Sequence, residues 1–208
     1  MTVVAAFDFD KTLTTKDTVV PFLRRFTSTP SFARSLLPHT MRVVPAVARR
    51  DRDHLRELAT RIVFTGRPVV EVERQASDHG VTIADRWLRP DTLARLHWHR
   101  DRGHRVVIVS ASYEQYVRVV ADRLGGLAVI ATLLDVADGR CTGALRGENC
   151  RGPEKVRRLD AWLSGIGLRR GDVTLFAYGD SAGDRELLAA ADHPQWVRGP
   201  LASVAPTI

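Results

Sequence analysis

The stretch that most constrains the fold is VVAAFDFDKTLT, residues 3–14 of the 208-residue chain. Its five opening apolar residues predict an interior strand of a parallel sheet, because such strands are covered on both faces and need not alternate. Two carboxylates, Asp8 and Asp10, follow at the carboxyl end of this strand. Ligands bind at that end in open α/β sheets, so the acids indicate a metal or phosphate site. Taken alone, the segment fits a strand that runs into an acidic turn equally well.

Three later segments carry polar residues that such a site needs. The first, VVIVSAS at 106–112, is an apolar run that ends in small hydroxyl residues. The second, GPEKVRRL at 152–159, begins a helix and contains Lys155, one of three lysines in the chain. The third, VTLFAYGDSAGDRELL at 173–188, is a strand-like run followed by two more acids. Together with the first stretch, these segments favour a site over an isolated acidic turn.

The order of these residues is an acid pair, a hydroxyl, a lysine and a second acid pair. This pattern resembles the haloacid dehalogenase (HAD) superfamily of phosphohydrolases, whose motifs read DxDx[TV], a Ser or Thr after a strand, a Lys, and GDxxxD. The resemblance extends from Asp8 to Asp184, and the first and last motifs are specific when they occur together in this order. Dehalogenases proper lack the second acid of the first motif, so Asp10 favours a phosphatase.

The resemblance implies a role for each matched residue. Asp8 is the implied nucleophile, which forms an aspartyl-phosphate, and Asp10 is the implied general acid and base. The implied Mg²⁺ ligands are Asp8, Asp10 through its backbone carbonyl, and Asp180, with Asp184 holding waters of the metal. The implied phosphate-binding residues are Ser110, the amide of Ala111 and Thr12, with Lys155 as the catalytic cation.

The fold expected from the whole chain is an α/β core with a helical insertion. From residue 91 onward, strands alternate with helices, which predicts a doubly wound, mostly parallel, Rossmann-like sheet. Between residues 15 and 90, apolar residues at spacings of three and four predict helices instead. We therefore expect a core of 1–14 and 91–208 and a helical cap of 15–90, similar to the HAD subclass that contains phosphoserine phosphatase.

Individual elements follow from the same periodicities. The predicted strands, after the first, are 105–110, 127–132, 173–178 and 195–198, with a hairpin turn at Asp138 and Gly139. The predicted helices are 21–26, 31–37, 41–50, 53–64, 91–103, 113–124, 153–163 and 184–191.

The substrate is the point at which the chain departs from phosphoserine phosphatases. Asp17, nine residues after Asp8, stands where those enzymes carry a glutamate that meets the substrate amine. Arg61 is the candidate for the cap arginine that holds the substrate carboxylate, and Gly183 stands where an asparagine is usual. These departures argue against phosphoserine itself. They leave histidinol phosphate, phosphocholine-like compounds and lysophospholipids open as small phosphorylated substrates.

The motifs leave one further function open, and the net charge of +7 leaves another. The same intermediate would serve a phosphotransferase, and a basic protein could bind nucleic acid or anionic lipid on a HAD scaffold. The basic residues are almost all arginines spread from Arg24 to Arg198, so we do not expect a nucleic-acid partner. A helical insertion that packs on itself is favoured over membrane-surface contact by 31–50.

No apolar run approaches the roughly 20 residues needed to span a bilayer. The first residues enter a strand without a basic region ahead of an apolar segment, so no secretory signal is expected. The sequence therefore predicts a cytoplasmic protein, and it predicts no particular oligomeric state.

Overall fold

The computed structural model describes residues 2–27 and 52–201, which form an α/β fold. Five parallel strands, in the order β3-β2-β1-β6-β7, make one sheet: β1 (Thr2–Phe7), β2 (Arg105–Tyr113), β3 (Ala128–Thr132), β6 (Val173–Gly179) and β7 (His193–Trp196). The antiparallel hairpin consists of β4 (Leu134–Ala137) and β5 (Arg140–Leu145). The helices are α1 (Val19–Leu23), α2 (Arg52–Phe64), α3 (Val69–Arg86), α4 (Pro90–Asp101), α5 (Glu114–Arg123), α6 (Pro153–Gly165) and α7 (Arg185–Ala189). The predicted fold class and parallel sheet are confirmed.

Strand β1 lies at the centre of the sheet and is covered on both faces. Val4 and Ala6 pack into the apolar cluster on one face, and Ala5 and Phe7 pack into the cluster on the other. All four side chains have no exposed surface. Burial on both faces explains why this strand has a continuous apolar run rather than an alternating one.

Most predicted elements of the core are present, with shifted ends. β2 continues to Tyr113, three residues beyond the prediction, because the strand resumes pairing with β3 after an irregularity that follows Ser110. β7 begins at His193 rather than Gln195, since it is an edge strand and tolerates Pro194. The hairpin turn lies at Asp138 and Gly139, as predicted.

The described part of 15–90 contains α1, α2 and α3 and no strand. The predicted helix 53–64 coincides with α2, the one predicted at 21–26 is observed as α1, and those at 31–37 and 41–50 lie outside the described residues. Aromatic contacts join these helices to the core: Phe22 lies 4.8 Å from Tyr116 and Phe64 lies 5.4 Å from Tyr113, between ring centroids. The division into cap and core remains a prediction. Across 2–27 and 52–201, no helix is both long and apolar enough to cross a membrane.

Helix α3 packs closely on α5 at Gly80. A Cβ atom added there would lie 2.6 Å from Cβ of Val119 and 2.9 Å from the carbonyl oxygen of Tyr116. The backbone oxygen cannot move without displacing α5, so the two helices would have to separate. Gly80 is therefore needed for this contact.

We predict that Gly80→Ala lowers the free energy of unfolding by about 1–3 kcal/mol, because the added methyl group overpacks the α3–α5 contact. Gly165→Ala is the matched control, since that helical glycine has nothing within 4 Å of the added Cβ. The control should be neutral or stabilising by up to about 1 kcal/mol. Urea denaturation of both variants measures the difference, and equal stability would contradict the assignment.

Candidate active site

The carboxyl ends of β1, β2 and β6 meet at a cavity of about 100 Å³. This volume accommodates several water-sized groups and so is sufficient for a phosphoryl group. Eight of the ten residues predicted for the site line the cavity; they are Asp8, Asp10, Asp17, Ser110, Ala111, Lys155, Asp180 and Asp184. The structure thus brings together residues from both ends of the chain.

Lys155 links the two acid motifs. It lies in the first turn of α6, is buried, and donates hydrogen bonds of 2.6 Å to Oδ1 of Asp8 and 2.6 Å to Oδ1 of Asp184. Burial disfavours its charge, but the two carboxylates outweigh this and raise the pKa of Lys155. Burial raises the pKa of Asp8 to about 7, and the ion pair with Lys155 limits the rise.

The second acid motif is a tight turn at the end of β6. Asp184 accepts hydrogen bonds through Oδ2 from the backbone N–H and the hydroxyl of Ser181, at 3.0 and 2.9 Å. A Cβ at Gly179 would lie 2.5 Å from Cβ of Asp184, so only glycine permits this approach. Burial opposes the charge of Asp184, but Lys155 and the Ser181 bonds outweigh it and lower its pKa. The aspartate is therefore held as a carboxylate.

Three carboxylates could hold a divalent cation. One oxygen each from Asp8, Asp180 and Asp184 lies within 4.8 Å of the others. Carboxylate oxygens are hard donors, and this set fits Mg²⁺ or Ca²⁺ rather than a metal that prefers sulfur or imidazole. Burial and the neighbouring charge of Asp184 raise the pKa of Asp180. Lys155 supplies one positive charge to these three carboxylates, so a divalent cation would offset the negative charge that remains.

Asp10 lies two residues after Asp8 and makes different contacts. Its carboxylate accepts hydrogen bonds from Thr18, through the backbone N–H and the hydroxyl, and from the hydroxyl of Ser112. Burial raises the pKa of Asp10, as does the charge of Asp17, whereas the hydrogen bonds lower it. A raised pKa is the property that a general acid requires near neutral pH.

Ser110 and Ala111 line the cavity at the irregularity in β2. Irregularities of this kind redirect backbone groups and are common beside active sites. The Ser110 hydroxyl accepts a hydrogen bond of 3.0 Å from the N–H of Ser112, which leaves its own proton available for a ligand. The structure therefore exposes a hydroxyl and an irregular strand end to the cavity.

Two predicted site residues, Thr12 and Arg61, do not line the cavity, and Asp17 lines it but also caps a helix. The Thr12 side chain is buried in the turn after β1, and its hydroxyl has no hydrogen-bond partner among the described residues. Arg61 is exposed on α2 and does not line the cavity. Asp17 does line it, but its Oδ1 also accepts from the N–H groups of Val19 and Val20 and so caps α1.

Arg56 is a cavity residue that the sequence did not single out. It lies five residues before Arg61 on the same helix and lines the cavity. Its Nη1 is buried and makes no hydrogen bond within the described part of the chain, while the guanidinium lies 5.1 Å from the Tyr113 ring centroid. A buried donor without a partner is costly, so Arg56 is suited to binding an anion.

Arg151 packs against the glycine at position 183. A Cβ at Gly183 would lie 2.9 Å from Nε of Arg151, so the arginine occupies the space that a longer side chain would need. Arg151 lines the cavity with Asn149, and both contact Asp53 of α2, at 3.7 and 2.6 Å respectively. Gly183 was the available signal in the sequence, but its partner 32 residues earlier could not be identified from spacing.

The chain belongs to the haloacid dehalogenase-like hydrolase family, whose model matches residues 5–189. It is 38% identical to Protein CicA of Caulobacter vibrioides over an alignment of 191 residues, and this alignment covers 91% of this chain and 83% of that protein. It is 27% identical to a probable phosphatase of Mycobacterium tuberculosis, over 91% of this chain and 66% of that one. The family and these relatives indicate an enzyme of the HAD phosphatase type.

The fold is similar to that of phosphoserine phosphatase. The crystal structure of that enzyme in its apo form superposes with a TM-score of 0.59 at 20% sequence identity, covering 92% of this chain and 84% of the other. At this identity the likeness concerns the fold alone. The predicted similarity of fold to phosphoserine phosphatases is therefore confirmed.

We predict that Lys155→Met lowers the free energy of unfolding by about 3 kcal/mol at pH 8, because Asp8 and Asp184 lose their buried counter-charge. Without the lysine, the pKa values of both carboxylates rise in the folded state. Protonation then relieves the repulsion as the pH falls through these raised values, so the loss should be less than half as large at pH 5.

Denaturant titrations of wild type and Lys155→Met at pH 8 and pH 5 measure the loss in the free energy of unfolding. Arg74→Met is the control, since Arg74 is an exposed cation on α3 that does not line the cavity, and its effect should stay within about 0.5 kcal/mol. A loss for Lys155→Met that is the same at pH 5 and pH 8 would contradict the ion-pair account.

Proposed function

We propose that the protein is a magnesium-dependent phosphatase that hydrolyses a small phosphomonoester through a phosphoryl group carried on Asp8. The observation that carries the proposal is the shared contact of Lys155 with Asp8 and Asp184, inside a cavity that Asp10, Ser110 and other polar groups line. Family membership and the phosphatase relatives support phosphoester hydrolysis.

Asp8, Asp180 and the backbone carbonyl of Asp10 would hold Mg²⁺, with Asp184 binding its waters. The oxygen donors of Asp8, Asp180 and Asp184 fit this ion, as their separation within 4.8 Å supports. When bound, Mg²⁺ supplies positive charge that offsets the repulsion between the substrate dianion and the attacking carboxylate. Asp184 is suited to binding the waters of the ion rather than the ion itself, because both of its carboxylate oxygens already accept hydrogen bonds, one from Lys155 and one from Ser181.

The residues of the chain divide the chemistry between two carboxylates. Asp8 attacks phosphorus, and Asp10 gives a proton to the departing oxygen as the ester bond breaks. A water molecule then attacks the phosphoryl group on Asp8, and Asp10 takes its proton. Ser110, the amide of Ala111 and the Lys155 ammonium would bind the phosphoryl oxygens as their negative charge increases. Separate carboxylates are needed, since Asp8 is consumed as the nucleophile in the first step.

The substrate should carry a second anionic group. The buried Nη1 of Arg56 supports this, because it has no hydrogen-bond partner among residues 2–27 and 52–201 and an anion from the substrate would provide one. Arg56 thus takes the role first assigned to Arg61, while Asp17 remains the candidate for contact with a substrate amine.

We predict that Asp8→Asn abolishes phosphate release, because the amide is nearly isosteric with the carboxylate but is a poor nucleophile. The measurement is phosphate release from a panel of phosphomonoesters, with Mg²⁺ and with a chelator. The panel includes phosphoserine, histidinol phosphate, phosphocholine, lysophosphatidate, sugar phosphates, nucleotides and an aryl phosphate. The chelator should abolish the release as well.

Asp122→Asn is the matched control, since Asp122 is exposed and outside the cavity, and it should leave turnover unchanged. Near-native turnover of Asp8→Asn would overturn the nucleophile assignment. If wild-type protein releases no phosphate from any compound, a phosphotransferase that lacks its acceptor or a binding protein would be favoured instead.

We further predict that Arg56→Gln raises KM by about 10- to 100-fold for a substrate with a second anionic group, since a charge-assisted hydrogen bond is lost. For an aryl phosphate without such a group, KM should change by less than about threefold. Arg61→Gln, on the exposed face of the same helix, is the control and should change neither value. An equal rise for both substrates would show that Arg56 does not select the second anion.

A further inference from the structure

The two carboxylate oxygens of Asp10 have different hydrogen-bond partners. Oδ1 accepts from the backbone N–H of Thr18 at 2.8 Å and from its hydroxyl at 2.5 Å. Oδ2 accepts from the hydroxyl of Ser112 at 2.6 Å. A carboxylate oxygen offers about two acceptor positions. Within the described residues, Oδ1 is therefore fully used and Oδ2 retains one free position.

The direction of these hydrogen bonds can be assigned. The backbone N–H of Thr18 is only a donor, so Oδ1 must accept whether or not Asp10 carries a proton. The Thr18 hydroxyl gives its one proton to Oδ1, and it therefore accepts from the hydroxyl of Tyr116, 3.0 Å away. Both acceptor positions of Oδ1 are occupied by groups of Thr18, so a proton on Oδ1 could point only at that residue. Oδ2 keeps one position that no described residue occupies, so a proton there can be given to a ligand.

We propose that Ser112 and Thr18 are positioning residues that orient the Asp10 carboxylate so that Oδ2 is the oxygen that exchanges a proton with the substrate. The inference rests on the proposed function and names the residues that organise it. In the first step, the bond from Asp8 to phosphorus forms, the ester bond breaks, and the Oδ2 proton passes to the leaving oxygen. In the second, water attacks phosphorus, the bond to Asp8 breaks, and Oδ2 takes a proton from the water.

The two positioning residues come from separate parts of the fold. Ser112 is fully buried near the end of β2, and its N–H donates to the hydroxyl of Ser110, which lines the cavity. Thr18 immediately precedes α1, and its carbonyl accepts a 2.9 Å hydrogen bond from Nε2 of His79 on α3. The Asp10 carboxylate is thus held from a core strand on one side and from the helices of 15–90 on the other.

The test is the dependence of rate on the leaving group. Protonation of the leaving oxygen matters little for a nitrophenyl phosphate, whose leaving group is stable as an anion, and matters greatly for an alkyl phosphate. We expect Ser112→Ala to lower kcat/KM by about 10- to 100-fold for phenyl and alkyl phosphates and by less than about threefold for nitrophenyl phosphate, as part of the general-acid contribution is lost. Thr18→Val, which keeps the backbone N–H, should show the same selectivity with smaller losses.

Three further variants separate positioning from a structural effect. Asp10→Asn should show the same preference for good leaving groups, more strongly. Ser112→Thr, which restores a hydroxyl, should recover much of the loss on alkyl phosphates. Thr82→Ala removes an exposed hydroxyl on α3 that donates to the local carbonyl of Asp78, and it should change no rate.

A uniform loss across all leaving groups in Ser112→Ala and Thr18→Val, or no loss in either, would overturn the proposal. These outcomes are distinct from failure of the proposed function, in which wild-type protein itself would release no phosphate. Melting temperatures of the variants, measured alongside, identify any that do not fold. Since Ser112→Ala removes a single oxygen and Thr18→Val is nearly isosteric, each variant tests the proposal separately.

Discussion

The ammonium of Lys155, between the carboxylates of Asp8 and Asp184, is the interaction on which the site depends. Lys155 lies 147 residues after Asp8 and 29 residues before Asp184 in the chain. The acids can be adjacent because β1 and β6 are neighbouring parallel strands whose carboxyl ends coincide. Burial of these charges would be unfavourable without a cation, so the fold of the core and the chemistry of the site require the same lysine.

The strands and the acids at their ends could be predicted because each depends on a pattern of neighbouring residues in the sequence. A run buried on both faces has no alternation, and an acid directly after such a run lies at a strand end, which holds for Asp8 and for Asp180. The arginine that faces the cavity could not be predicted in this way. Arg56 and Arg61 are five residues apart on one helix, which separates their directions by about 140°. Only the packing of α2 decides which of them faces the cavity.

Contacts between distant parts of the chain account for the remaining differences. Arg151 fills the space beside Gly183, and Ser112 holds Asp10 across 102 residues of sequence. Neither pairing has a periodicity or a spacing from which it could be inferred. The Thr12 hydroxyl is buried because the turn after β1 directs the side chain into the protein, where the N–H groups of 12–14 share the carbonyl of Phe9.

The central claim is that the phosphoryl group is bound covalently to Asp8 before it is transferred to water. Its most direct test is to mix excess protein with substrate and Mg²⁺, to quench with acid on the time scale of one turnover, and to locate the phosphoryl group by mass spectrometry of peptides. We expect a transient phosphoryl group on Asp8 that forms and decays as fast as phosphate is released. A phosphoryl group on another residue, or direct transfer to water with inversion of configuration at phosphorus, would contradict it.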